Sequence, residues 1–510
     1  MRRGDESRPD DRRGGGRPNQ GRRSGGAPKR GRREQRREGT ASAARRVAYE
    51  AIGSVADDDA YANLVLPSRL REAGLSAADA AFATELVYGT LRLRGRYDAI
   101  IALAARRPME EIDARVADAL RLGAHQLLGM RVPSHAAVHE SVELVREYAN
   151  PAAVGFANGV LRTIERASDE EWDARLAEAL TGDELVAART AHPAWILRAL
   201  RQSLAAEGRE AELDALLAAD NEAPAVDLVA LPGLAEAEDV AEAHAPDVLP
   251  AAYAPTSLDL LRGDPHELPE ARSGAVRVQD EGSQLVALAL AAAALEGRAA
   301  DAGPERWIDL CAGPGGKAAL LAALAAEAGA DFTANEVAPH RAELVRRALA
   351  PIEDATGRAI RVTAEDGRRL PEWSDADGGF DRILVDAPCT GLGALRRRPE
   401  ARWRKAPGDV PELAAIQEAL LEAALDSLAP GGVVAYVTCS PHLAETSAIA
   451  ARGARRPGIR ALDAAAVVAE LSRSPIDLVP RPLGEGTAVQ LWPHRHGTDA
   501  MYLALLQREA

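Results

Sequence analysis

From Val276 onward, short apolar runs ending in small or acidic residues alternate with Ala/Leu-rich stretches of helical length. The runs are Trp307–Leu310, Phe332–Asn335, Ile360–Thr363, Arg382–Val385 and Val433–Val437. Strands separated by helices imply β–α–β units, hence an α/β domain built on a mostly parallel sheet. Ligands of such sheets bind beyond the carboxyl ends of the strands, so those ends are where chemistry is sought.

The chain ahead of this domain reads differently. Apolar residues recur at three- and four-residue spacing in Ala44, Val47, Ala48, Ala51, Ile52 and Val55, and again in Val138, Val142 and Val145. That period is helical. Ser76 followed by Asp79 is a helix-start signal, and Pro133 and Pro151 punctuate the helices. Residues 42–170 are therefore predicted to be an all-α domain without a catalytic cluster. Residues 171–274 read as a small mixed connecting domain, helical through about Ala219 and then β-like at Val226–Ala230 and Ser257–Leu261; residues 275–510 form the α/β domain.

Composition closes off several classes. With 47% apolar and 27% charged residues the 510-residue chain can fold, which excludes large-scale disorder. The longest apolar run, Leu285–Leu295, is too short to cross a membrane, which takes about 18 residues. Only Cys311, Cys389 and Cys439 are present, which argues against a disulfide scaffold and for a reducing, cytoplasmic setting. The first 40 residues hold 14 Lys and Arg against 6 Asp and Glu, and almost nothing apolar. Residues 1–41 are expected to be a disordered basic tail, either solvated or in nonspecific contact with RNA. No apolar core follows that basic start, so no secretory leader is expected. The remainder carries 48 basic and 71 acidic residues, which disfavours bulk capture of nucleic acid and leaves room only for a local basic groove.

The first α/β strand runs into Asp309-Leu310-Cys311-Ala312-Gly313-Pro314-Gly315-Gly316-Lys317 and then a helix. Glycines there permit a tight turn and close approach of a ligand to the helix start. It is not a phosphate P-loop, because Cys311 stands where that motif needs glycine and Ala318 where it needs Ser or Thr. The second strand ends at Glu336, where a carboxylate can accept from a ribose, and Asp366 follows the third, where it could meet an adenine amine. A glycine turn with acidic groups at successive strand ends predicts a site for an adenosine-containing cofactor.

Two cysteines fall at the ends of the next two strands: Cys389 in Asp386-Ala387-Pro388-Cys389-Thr390-Gly391-Leu392-Gly393, and Cys439 in Thr438-Cys439-Ser440. A zinc site needs four ligands and usually a close cysteine pair, so metal is rejected. An adenosine cofactor beside cysteines suits methylation of cytosine at carbon 5, which is a poor nucleophile. A thiolate adding to C6 makes C5 enamine-like; an acid must answer at N3, and a base must later take the C5 proton. Asp386 is placed for the N3 contact.

These motifs together resemble the Sun/Nop family of S-adenosylmethionine-dependent RNA cytosine-5 methyltransferases. The likeness extends to Gln279-Asp280-Glu281-Gly282-Ser283-Gln284 and to His496-Gly497-Thr498-Asp499-Ala500-Met501-Tyr502. The segment Phe82–Thr90 resembles the NusB-like RNA-binding domain of the family's bacterial ribosomal RNA branch. The resemblance implies a Rossmann-like methyltransferase domain behind a NusB-like module. It implies Cys439 as nucleophile and Cys389 as its partner in product release. It places Gly313, Pro314, Gly315, Gly316 and Lys317, with Cys311 and Ala312 before them, at the cofactor's methionine end. Glu336 would lie at the ribose, Asp366 at the adenine and Asp386 between cofactor and base. Ala318 replaces the family's Thr and Thr390 its Ser; neither change removes a catalytic group. In DNA cytosine-5 enzymes the nucleophile sits in a Pro-Cys turn, which would favour Cys389; the additional Thr438-Cys439-Ser440 favours Cys439.

Arg396, Arg397, Arg398, Arg402, Trp403, Arg404 and Lys405 cluster beside the fourth strand, and are expected to touch RNA phosphates and bases. His340 and Arg341 read as solvated helix residues. His442 near Cys439 could suggest a cysteine hydrolase, but no nucleophile elbow accompanies it. The expected substrate is RNA, small-subunit ribosomal RNA before transfer RNA, and the target base must be unstacked to present C6. A non-catalytic NusB-like RNA-binding factor is the rival from another class. A nitrogen methyltransferase is not, since Asp386-Ala387-Pro388-Cys389 lacks the Pro-Pro-aromatic loop.

Overall fold

The computed structural model describes residues 41–57, 61–299, 303–374 and 378–510. Apart from Ala41, the basic tail lies outside them. The helical part runs through helices Ala43–Asp57, Ala62–Ala73, Ala77–Arg92, Arg94–Ala105, Ala114–Leu128, Ser134–Tyr148 and Val154–Glu165. Ser76 caps its helix by accepting from the Asp79 amide at 3.2 Å, as the sequence signals. The apolar stripes meet in one core around Leu86, Ile100, Leu120 and Leu161. The next helix, Asp169–Ala179, opens with a capping box at Ser168 and Glu171 and sends Trp172 and Leu176 into that same core. The boundary expected at residue 170 thus falls inside a packed unit.

A small antiparallel sheet follows. Its strands are β1 (Val226–Ala230), β2 (Val248–Pro250), β3 (Ser257–Leu260) and β4 (Val276–Val278), in the order β2-β3-β1-β4. β4 lies beyond the expected boundary at 274 yet pairs with β1. The helices before this sheet, Ala194–Ala205 and Leu213–Ala219, pack instead on Leu392, Leu395 and Trp492 of the α/β part. The connecting region therefore serves two neighbours and has only a small core of its own, around Leu228, Val240 and Leu258.

The large sheet contains β5 (Arg306–Asp309), β6 (Asp331–Asn335), β7 (Arg361–Thr363), β8 (Phe380–Asp386), β9 (Leu428–Thr438), β10 (Ile459–Ala461), β11 (Arg481–Leu483), β12 (Gly486–Gln490) and β13 (Tyr502–Arg508). Its order is β11-β12-β13-β9-β8-β5-β6-β7, with β10 on β13. All five expected strands are present and mutually parallel. The antiparallel edge formed by β10 to β13 is additional. Its members, apart from β13, have at most five residues, too few to show a period. Helices cover both faces. Along β9, Val433, Ala435 and Val437 point into one layer and Val434 and Tyr436 into the other, the two-residue alternation of a strand. The chain leaves β5 toward β6 on one side and returns through β8 on the other, so the strand order reverses beside β5. That crevice is where doubly wound sheets bind ligands.

Candidate active site

The glycine turn occupies this reversal point. Gly315 sits at φ 108°, a conformation only glycine adopts readily, and opens the helix Gly316–Glu327. Gly313 leaves room for a carboxylate against the turn: a Cβ there would stand 2.1 Å from Glu336 Oε2. The Gly313 amide donates to that oxygen at 3.1 Å, and Glu336 Oε1 accepts from the Ala338 amide at 3.0 Å. Arg341, expected to be solvated, donates to the Gly313 carbonyl at 2.7 Å and lies 3.4 Å from Glu336. One missed residue therefore braces turn and carboxylate together. Both side-chain amide atoms of Gln279 are buried without a partner close to Gly316. A backbone cradle with orphaned polar atoms aimed at it fits a polar, amino-acid-like ligand end.

Asp366 follows β7 as expected, but its carboxylate caps a short 3-10 turn and pairs with Arg368 at 2.7 Å. That hydrogen-bonded partner holds it below the usual carboxylate range. An adenine amine would therefore share it with a guanidinium.

Lys317 and Asp386 join the turn to the loop after β8, with Nζ donating to Oδ2 at 2.9 Å. Burial works against the Lys317 charge, but Asp386 outweighs it and the ammonium is held above its ordinary range. Beneath them Asp309, fully buried, accepts from the Cys311 amide with one oxygen and leaves the other unpartnered. Burial, then the charge of Asp386, pushes the Asp309 carboxyl up to about 8.

β8 and β9 are paired neighbours, which brings Cys389 and Cys439 together. Their Sγ atoms lie 3.5 Å apart, and both residues are partly accessible. The proton is favoured on Cys389. Its thiol is raised by the hydrogen bond it gives Cys439, by burial and by the nearby Glu445 charge. Cys439 is lowered as the acceptor of that bond, against burial and Asp386, with help from Lys317 and Arg398. Burial pushes the Cys311 thiol up, which disfavours its thiolate. Glu445, which sequence reasoning missed, accepts from Thr390 and Ser440, the residues directly after the two cysteines. A lone glutamate in the turn ahead of the helix Ser447–Ala454 carries no sequence signal of that role.

The basic run after β8 is largely a fastener, which corrects the expectation of an RNA surface for most of it. Arg402 is 1% exposed and donates to the carbonyls of Arg92, Ala191 and Asp220 and to Asn221. Arg397 bridges Asp227, Asp280 and Asp499, and Arg396 donates to the Gly497 carbonyl. Trp403 lies under Arg94 of the helical part, and Arg404 donates to the Val55 carbonyl. A buried guanidinium needs several acceptors, and domain junctions supply carbonyls, so charge in the sequence does not mean charge at the surface. Arg398 is exposed, with its guanidinium over the Tyr61 ring, and Lys405 is half-buried; of the seven, only these two have no buried bonding role given above. Among the described residues no group of three His, Cys, Asp or Glu is arranged to hold a metal, and no helix is long and apolar enough to cross a membrane.

Comparison with known proteins agrees with this architecture. The NusB family model matches residues 42–166, and the model of the 16S rRNA methyltransferase RsmB/F family matches residues 299–507. Rv1407 of Mycobacterium tuberculosis, which carries a general methyltransferase name, is 50% identical over 467 residues, 91% of this chain and 96% of its own. Ribosomal RNA small subunit methyltransferase B of Pseudomonas putida is 34% identical over 82% of this chain and 91% of its own. The crystal structure of PH0851 superposes with a TM-score of 0.71 over 91% of this chain and 97% of its own, at 21% identity, a likeness of fold. Fold and site define an S-adenosylmethionine-dependent methyltransferase with a NusB-like helical module. The chain belongs to the 16S rRNA methyltransferase RsmB/F family.

Proposed function

We propose that this protein methylates carbon 5 of a cytosine in RNA through a transient Cys439–C6 bond, with small-subunit ribosomal RNA as substrate. The observation that carries the reading is the pair of thiols 3.5 Å apart at the carboxyl ends of adjacent strands, with the proton favoured on Cys389. Naming of relatives as small-subunit ribosomal RNA methyltransferases supports the substrate.

S-adenosylmethionine, when bound, supplies an electrophilic methyl group on a sulfonium. The glycine turn from Cys311 to Lys317 would hold its methionine end, Glu336 its ribose and Asp366 its adenine. Cys439 adds to C6 as a thiolate, and the ring's electron density moves toward C5 and N3. The sequence gives Asp386 the N3 contact, but Asp386 is the hydrogen-bond acceptor of Lys317. The cation of that pair is the group able to answer charge at N3, with Asp386 aiming it. Once C5 carries the methyl group, a base takes the C5 proton, the freed electron pair re-forms the C5–C6 double bond and expels Cys439 as thiolate, and Cys389 stands alongside to assist. Arg398 and Lys405 would meet RNA phosphates.

The test uses Cys439→Ala and Cys389→Ala with radiolabelled cofactor, on deproteinised small-subunit RNA and on transfer RNA. Cys439→Ala is expected to form no covalent RNA adduct and no methylated product. Cys389→Ala is expected to accumulate the adduct. The reverse pattern would exchange the two roles, label on nitrogen would discard the C5 reaction, and label confined to transfer RNA would change the substrate.

A further inference from the structure

Glu445 has no accessible surface, and its four acceptor contacts are all to uncharged donors. Oε1 accepts from the Thr390 amide at 2.8 Å and from Gln417 at 3.3 Å. Oε2 accepts from the Thr390 hydroxyl and, at 2.7 Å, from the Ser440 hydroxyl. The Glu445 carbonyl accepts from the hydroxyl of Tyr436 in β9 at 2.6 Å, and Gln417 also donates to the Pro388 carbonyl at 2.9 Å. A buried carboxylate is costly unless its lone pairs are met, and here they are met by the two loops that carry the thiols. A side chain needed only for packing would be apolar at this position.

We propose that Glu445 is a positioning residue: one carboxylate ties Thr390, after Cys389, to Ser440, after Cys439, and so holds the two thiols at reacting distance. The proposal rests on the two-thiol reading above and deepens it. Its second consequence is electrostatic. Cys439 is faced by Cys389, Asp386, Lys317 and Arg398, whereas Cys389 is faced by Cys439 and Glu445. The Glu445 charge therefore acts on the Cys389 side and keeps the proton there, so that Cys389 goes on donating to Cys439, the main cause of the lowered Cys439 thiol.

The experiment is alkylation of the full-length protein by iodoacetamide across pH, without RNA or cofactor, with each cysteine followed by peptide mass spectrometry and folding by thermal melting. In Glu445→Gln the charge is gone and an amide faces the Thr390 and Ser440 donors. Cys439 alkylation at pH 7 is expected to slow about tenfold, with its midpoint moved to higher pH. Loss of a purely structural contact would lower the melting temperature without moving that midpoint. A folded Glu445→Gln protein with the wild-type Cys439 profile overturns the proposal. If that variant does not fold, Ser440→Ala decides, because it deletes one hydroxyl and leaves three donors on the carboxylate. Alkylation about threefold slower is expected, and the wild-type rate overturns the proposal. Wild-type protein that alkylates as described but forms no RNA adduct would sink the C5 reaction and leave the brace standing.

Discussion

Lys317 Nζ and Asp386 Oδ2, 2.9 Å apart, tie the helix after the glycine turn to the loop that carries Cys389. The cofactor turn and the thiols therefore cannot move independently, and the same ammonium is one of the charges that favours a Cys439 thiolate.

Lys317→Met tests that coupling. The substitution keeps the length of the side chain, removes the cation and leaves Asp386 without its donor. Methyl transfer is expected to fall by about a hundredfold, the usual cost of losing one preorganised charge in a site. Cys439 alkylation should slow in parallel in RNA-free protein. Methyl-transfer assays set beside alkylation rates check this; full activity would remove Lys317 from the chemistry.

Asp309 makes the stability of the fold depend on pH. Its carboxyl is raised from 3.8 to about 8 by burial and by Asp386. A raised acid keeps its proton in the folded protein after the unfolded chain has lost it. Its contribution to stability is whole below about pH 4 and is lost progressively as pH rises to about 8. Asp309→Asn cannot titrate and keeps an oxygen for the Cys311 amide. Melting temperatures between pH 5 and pH 8 should therefore fall less steeply in the variant than in the wild type. Parallel curves would mean that Asp309 is ionised in the folded protein.

What the sequence made legible divides along physical lines. The parallel strands could be read because short runs rich in apolar residues alternate with stretches of helical length, and Cys389 and Cys439 could be placed because strand ends follow from strand positions. The antiparallel edge could not, since β10 and β11 have three residues each and owe their existence to pairing with partners distant in the chain. Arg402 shows the harder limit. Its neighbours in space, Arg92, Ala191 and Asp220, are far from it in sequence, so a buried clamp and a solvated arginine look alike until the domains are assembled. Arg341 and Glu445 were missed for the same reason: each acts on a loop that another element delivers.

Arg398 and Arg402, four residues apart, should behave as opposites. Arg402→Met leaves three carbonyls and Asn221 without their donor, at an expected cost of about 3 kcal/mol in folding stability. Arg398→Ala removes an exposed side chain and should cost less than about 0.5 kcal/mol. It should instead weaken RNA binding and lower the salt dependence of affinity by about one counterion. Chemical denaturation and RNA titrations at several salt concentrations separate the two effects. Equal RNA affinity in Arg398→Ala and wild type would take the last arginine of the run out of substrate recognition.

Gly313→Ala addresses the cofactor cradle without replacing a charged group. The new Cβ would fall 2.1 Å from Glu336 Oε2 and 2.9 Å from Arg341 Nε, both ends of side chains that can swing aside. The fold should survive with little loss, because no backbone needs to move. Glu336, however, would have to leave the position from which it accepts the Gly313 amide and would meet a ribose. Affinity for S-adenosylmethionine is expected to drop by about tenfold or more, the equivalent of one hydrogen bond to a charged group. Calorimetric titration of cofactor into the RNA-free variant measures this, with RNA affinity as the control that should not change. Cofactor binding at wild-type strength would show that Glu336 does not read the ribose from this position.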